Sequence, residues 1–104
     1  MYSRVTLLEV DTVRLGVDEA VGLFRREVLP RLREQEGFEG VLVLASPEGK
    51  GMILTLWADE AGARDATGFA SAELERFMTF FKAPPGRELY VVEVAELPDG
   101  VPAG

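Results

Sequence analysis

Residues 41–58, VLVLASPEGKGMILTLWA, hold two short apolar runs on either side of a segment containing Pro and Gly. Runs of this length, rich in Val, Ile and Thr and bounded by turn residues, read as strands, and PEGKG reads as the hairpin turn between them. The hairpin is flanked on both sides by stretches with helical spacing, so the chain is restricted to a layered arrangement of helices on a sheet. On the N-terminal side, Val17, Val21, Phe24, Val28 and Leu32 step by four, three, four and four, which is one face of a helix. Asp18 and Glu19 suit its positive N-terminal end. Pro30 cannot donate to the helical ladder and crowds the preceding turn, which predicts a kink or break there. Gly37 is placed to close the helix in the left-handed conformation.

On the C-terminal side, Asp59 is an N-cap for a short helix across EAGARDATGF, and Ser71 caps a second. In that second helix Leu74, Phe77, Met78 and Phe81 share a face, and APPG ends it. YSRVTLLEV (2–10) and RELYVVEVAEL (87–97) supply a first and a last strand. The order is β-α-β-β-α-β, which predicts a ferredoxin-like α+β fold with a four-stranded antiparallel sheet and both helical crossovers on one side. Residues 1–97 form the single domain, and PDGVPAG (98–104) is an irregular tail. Strands this apolar leave the second sheet face uncovered. A second copy packed sheet to sheet would cover it, giving a two-fold homodimer able to pair further.

Composition narrows the chemistry. The 104 residues include no Cys, no His and no Asn. This removes disulfides, thiolate nucleophiles, the commonest general base and the commonest transition-metal ligand. No metal and no cofactor is expected, and catalysis would fall to carboxylates, Tyr, Lys, Arg, Ser, Thr or the substrate itself. A net charge of −7 disfavours nucleic acid and anionic membrane surfaces as partners. No apolar run matches a signal peptide or a membrane span, so the expected location is the cytoplasm. A single Gln and an excess of Arg over Lys give the chain a thermophile-like composition. The glycines of EGKG are followed by a strand and not by a helix N-terminus, so they are turn residues and not a phosphate loop.

LPRLREQEGFEGVLVL, then the hairpin, then MILTLWADEAGARDA resembles the antibiotic-biosynthesis-monooxygenase-like family of dimeric α/β barrel proteins. The most specific parts are GFEG at the helix-to-strand junction and the strand-ending Trp57 with its acidic helix cap. The resemblance implies a homodimer in which each subunit holds a pocket between its helices and one sheet face. It implies a cofactor-free monooxygenase acting on a small aromatic or quinol-type substrate, or a non-catalytic binding or structural dimer of the same fold. Haem-degrading relatives use an Asn on the first strand, a second Trp and a His. This chain has none of these, and Ala66 lies near the place of the second Trp. Relatives acting on polycyclic phenols pair the strand Trp with an Asn, and that place is Ile53 here.

The candidate pocket residues are Trp57, Thr55 and Ile53 on one strand face, with Phe24, Phe77, Phe80, Phe81 and Tyr90. Each also has a plainer use. Trp57 can plug the end of the core, Phe77, Met78 and Phe81 can pack it, and Tyr90 can sit half-buried at a rim. Phe38 is expected to pack at the top of the sheet. Glu9 is the candidate base, with Glu93 and Asp11 as further carboxylates; solvent-facing strand ends explain all three equally well. Arg64, Arg76 and Arg87 could hold an anionic substrate, although Glu60–Arg64 and Glu73–Arg76 helix pairs are the simpler use.

Overall fold

The computed structural model describes residues 1–83 and 85–97. The expected irregular tail, 98–104, lies outside them. Four strands form one antiparallel sheet: β1 (Tyr2–Glu9), β2 (Phe38–Ala45), β3 (Lys50–Trp57) and β4 (Gly86–Val91), in the order β2-β3-β1-β4. The helical crossovers are α1 (Val17–Leu23) and α2 (Leu29–Arg33), joined by a π-helical segment, and α3 (Glu60–Arg76). This is the ferredoxin-like α+β fold with β-α-β-β-α-β order.

The register fixes which side chains share a face, because partners in a ladder point the same way. Thr55 lies opposite Arg4 and Val41, and Ile53 opposite Thr6 and Val43. These residues, with Leu8 and Trp57, look toward the helices. Leu7, Leu42 and Tyr90 are in the other phase and lie on the uncovered face, where they are 50%, 41% and 53% exposed.

Local chemistry accounts for the joins. The hairpin turn closes with Ser46 N–H donating to the Lys50 carbonyl at 2.8 Å and Gly49 N–H donating to the Ser46 carbonyl at 3.0 Å. Gly49 has φ +95°, and a Cβ there would stand 2.6 Å from the Val10 carbonyl oxygen, so only glycine fits. Gly37 has φ +83° and terminates the first helical crossover as its sequence position predicts. Asp59 caps α3, its carboxylate accepting from Gly62 N–H at 2.7 Å.

Three sequence expectations are corrected. The region after Asp59 is one 17-residue helix and not two short ones. Gly68 faces open space and Ser71 accepts a hydrogen bond from Arg87 instead of capping, so nothing stops the helix before Arg76. Met78 and Phe80 therefore fall in a following 3-10 turn, outside any helical face. At Pro30 the chain neither breaks nor simply kinks. The preceding residues Phe24–Val28 widen into a π-helical segment, which absorbs the lost N–H donor and the crowding of the ring. The last strand ends at Val91, not Leu97: past the Tyr2–Val91 rung it keeps one backbone bond, Val92 N–H donating to the Met1 carbonyl at 3.0 Å, and residues 92–97 run on without strand pairing.

Candidate functional site

The site grows from the end of β3. Trp57 is 1% exposed and is the largest fully buried side chain among the described residues. Phe38, its ladder partner, meets it edge to face at 5.7 Å between ring centroids and 71° between planes. Ala63 and Ala66 of α3 and Leu32 of α2 complete the buried cluster around it. The indole Nε1–H donates to Thr55 Oγ1 at 2.8 Å, and the Thr55 hydroxyl reaches the Arg4 carbonyl at 3.5 Å. Trp57 thus has its single polar group already satisfied within the strand face.

Beneath the helices, beside Trp57, lies a cavity of about 170 Å³. Trp57, Thr55, Ile53, Phe24, Phe77, Phe80 and Phe81 all contribute to its wall, so seven of the sequence candidates are brought together. The wall is predominantly apolar, with Arg4, Thr6, Thr55, Lys50 and Glu73 as its polar members. Glu73 is buried, and its two oxygens are engaged separately by Arg31 at 2.9 Å and Arg76 at 2.8 Å. Arg4 Nη1 donates to the Ala63 carbonyl at 3.2 Å and to Thr67 Oγ1 at 2.8 Å. Its burial, and then the charge of Arg87, hold its pKa below the ordinary arginine value.

Two candidates stand elsewhere. Glu9 is in the opposite strand phase from Leu8 and Val10, is absent from the cavity wall, and pairs with Lys82 at 3.3 Å. Tyr90 pairs with Ser3 on the uncovered face and is half exposed. Both corrections have one cause: alternation along the strand sends these side chains through the sheet, away from the helices. Among the further carboxylates, Asp11 accepts from Val13 N–H in a local turn and Glu93 is exposed beyond β4. The helix pairs Glu60–Arg64 and Glu73–Arg76 both form, at 2.6 and 2.8 Å.

Arg4 and Glu73 are cavity-wall residues that sequence reasoning missed. Their signals were present. Arg4 is in phase with Thr6 and Leu8 on β1, and Glu73 continues the Ala63, Ala66, Ala70 stripe of α3. Among the described residues, no group of three or more acidic side chains could hold a metal ion, and no helix is long and apolar enough to cross a membrane.

No family model and no curated protein sequence matches the chain. Solved structures do. A protein of unknown function from Nitrosomonas europaea superposes with a TM-score of 0.74 at 23% identity, covering 95% of each chain. The ActVA-Orf6 monooxygenase of Streptomyces coelicolor, solved with nanaomycin D, gives 0.71 at 22% identity over 94% of this chain and 92% of that one. SnoaB, a cofactor-independent oxygenase from Streptomyces nogalater, gives 0.71 at 16% identity over 90% and 94%. The chain has the fold of the antibiotic-biosynthesis-monooxygenase-like proteins.

Proposed function

We propose that the chain takes a small, single-ring aromatic or quinol-type molecule into the cavity beside Trp57 and oxygenates it without a bound cofactor. The carrying observation is the void itself: about 170 Å³, walled by Trp57, Phe24, Phe77, Phe80 and Phe81, where a purely structural subunit would have its core filled. An apolar cavity of about 150 Å³ is large enough for benzene. The likeness to SnoaB and ActVA-Orf6 supports an oxygenase reading at the level of fold. In that chemistry the phenolic proton passes to water, and the electron-rich anion reduces O2 to a peroxide bonded to the ring. Loss of water from the peroxide leaves a quinone, so one phenol and one O2 give one quinone and one H2O. The aromatic wall orients the ring and excludes water from the peroxide.

A second reading, a non-catalytic binder, is favoured by one specific feature. The Trp57 N–H is occupied by Thr55, and Ile53 supplies no donor, so no side chain on that strand face is free to stabilise an oxyanion. Incubation with phenols and hydroquinones in air and under nitrogen separates the two. Protein-dependent oxygen uptake with a quinone product supports the oxygenase. Saturable binding with no uptake above the uncatalysed rate leaves the binder. No binding of any single-ring compound overturns both.

The working unit is proposed to be a homodimer joined through the uncovered sheet face. Leu7, Leu42, Leu44 and Tyr90 expose apolar surface there, of the kind that marks an interface between chains. Native mass spectrometry at micromolar concentration tests this; a monomer would refute it.

A further inference from the structure

Arg4 of β1 and Arg87 of β4 lie two rungs apart on the same strand pair, where Arg4 faces Leu89 and Thr6 faces Arg87. Alternation puts both side chains on the helix-facing surface, diagonal neighbours across the ladder. Both reach α3. Arg4 Nη1 donates to Thr67 Oγ1 at 2.8 Å, and Arg87 Nη1 donates to Ser71 Oγ at 2.6 Å. Thr67 and Ser71 are four residues apart on α3, so their hydroxyls occupy one helix face a turn apart. Neutral oxygens thus hold two guanidinium groups side by side.

Neither arginine meets a carboxylate among the described residues, although the chain carries 18 acidic side chains against 11 basic ones. Arg14, Arg31, Arg64, Arg76 and Lys82 each have an acidic partner. Two like charges kept adjacent and unneutralised repel each other, and the lowered pKa of Arg4 registers that repulsion after burial. Each guanidinium has five donors in a planar fork, and in both arginines the hydrogen bonds to α3 use Nη1 alone. Among the described residues Nε and Nη2 of each make no hydrogen bond, which leaves those donors available to a planar anion. Arg4 is also part of the cavity wall, while Arg87 is exposed, so the pair bridges the apolar space and solvent.

We infer that Arg4 and Arg87 hold the carboxylate of a single-ring aromatic acid whose ring occupies the cavity beside Trp57. This rests on the cavity reading above and adds the ligand's charge. The ring enters apolar surroundings, and the carboxylate stays at the wetted edge, where it neutralises the arginine pair. A neutral ring of the same shape fills the same space and leaves the two cations repelling.

Trp57 is the only tryptophan and lies on the cavity wall, so its fluorescence reports occupancy. The probes are benzoate, its neutral isostere benzamide, and phenol, titrated at low salt into the wild-type protein and Arg87→Gln. Benzoate should bind about tenfold more tightly than benzamide, as expected for charge-assisted bonds to one anion. In Arg87→Gln that preference should shrink to about twofold or less by loss of one charged partner, with phenol binding unchanged. A second readout needs no variant: the Nε–H resonances of Arg4 and Arg87 should shift with benzoate and stay in place with benzamide. Equal affinity for benzoate and benzamide overturns the inference and leaves the cavity reading standing. A benzoate preference that survives in Arg87→Gln, with both Nε resonances unmoved, puts the anion elsewhere and also overturns it. Failure of all three probes to bind overturns the cavity reading and this inference with it.

Discussion

Trp57 and Thr55, two residues apart on the same face of β3, are joined by a 2.8 Å hydrogen bond from the indole Nε1 to the hydroxyl oxygen. The bond is buried, so each group depends on the other. Thr55→Val keeps the shape and strands the indole N–H, which should cost about 1–3 kcal/mol. Trp57→Ala removes the largest buried side chain of the core and should cost about 3–5 kcal/mol. Urea unfolding followed by circular dichroism checks both, and the expected order is Thr55→Val milder than Trp57→Ala.

Filling the cavity should abolish ligand binding without unfolding the protein. Ala70 is part of the wall and only half-buried, so Ala70→Leu adds methylene groups into existing space and not into packed atoms. A ring compound at 100 times its Kd should stabilise the wild-type protein by about 2.7 kcal/mol. The Ala70→Leu protein should show no such shift in its melting midpoint.

The depressed pKa of Arg4 has a definite sign in stability. A base whose folded pKa lies below its unfolded value binds its proton less well when folded. The cost is fully present wherever the side chain is charged, and it is relieved only as pH rises through the folded pKa. An arginine side chain keeps its proton throughout the neutral range, so Arg4 should give stability no slope between about pH 6 and 9. The repulsion is instead exposed by substitution. Arg87→Gln should leave stability unchanged or raise it by up to about 1 kcal/mol, by removing a like charge near the surface. Thermal unfolding at low ionic strength is the measurement.

The uncovered sheet face should respond to charge. Leu7 lies near its middle, opposite Met52, and is half exposed. Leu7→Lys should convert a sheet-to-sheet dimer into a folded monomer, because an unpaired ammonium cannot be buried there without a large desolvation cost. Sedimentation velocity reads the change directly, and circular dichroism establishes that the monomer is folded.

The composition carries a fifth expectation. With one Gln and no Asn or Cys, the melting midpoint should lie above the ~45–65 °C range of mesophile domains. Differential scanning calorimetry decides it.

The fold was legible because its signals were local and agreed with one another: the hairpin turn, the Asp59 cap, the Gly37 terminus and the spacing from Val17 to Leu32. The misreadings came where a distant partner decides. Ser71 looked like a cap, but Arg87 engages its hydroxyl from another element. The last strand stops at the Tyr2–Val91 rung, and the pairing that decides this is with a distant strand, which the composition of residues 92–97 does not reveal. At the site, the aromatic wall was readable from apolar spacing. Glu9 and Tyr90 were misassigned because the choice of sheet face depends on strand phase relative to Trp57, and that phase becomes visible only through the β1–β3 and β1–β4 registers. Arg4 escaped notice for the complementary reason: a charge inside a strand reads as solvent-facing until its neighbours Thr6 and Leu8 are known to face the helices.

The π-helical segment Phe24–Val28 gives the cavity an adjustable wall. It packs an extra residue into a turn whose ends are fixed by α1 and α2. Loss of one residue there would return the turn to ordinary winding and rotate Phe24 relative to Val28 while leaving both flanking helices in place. Relatives of this chain could therefore resize their binding space by changing the length of a helix by one residue, with every cavity side chain kept.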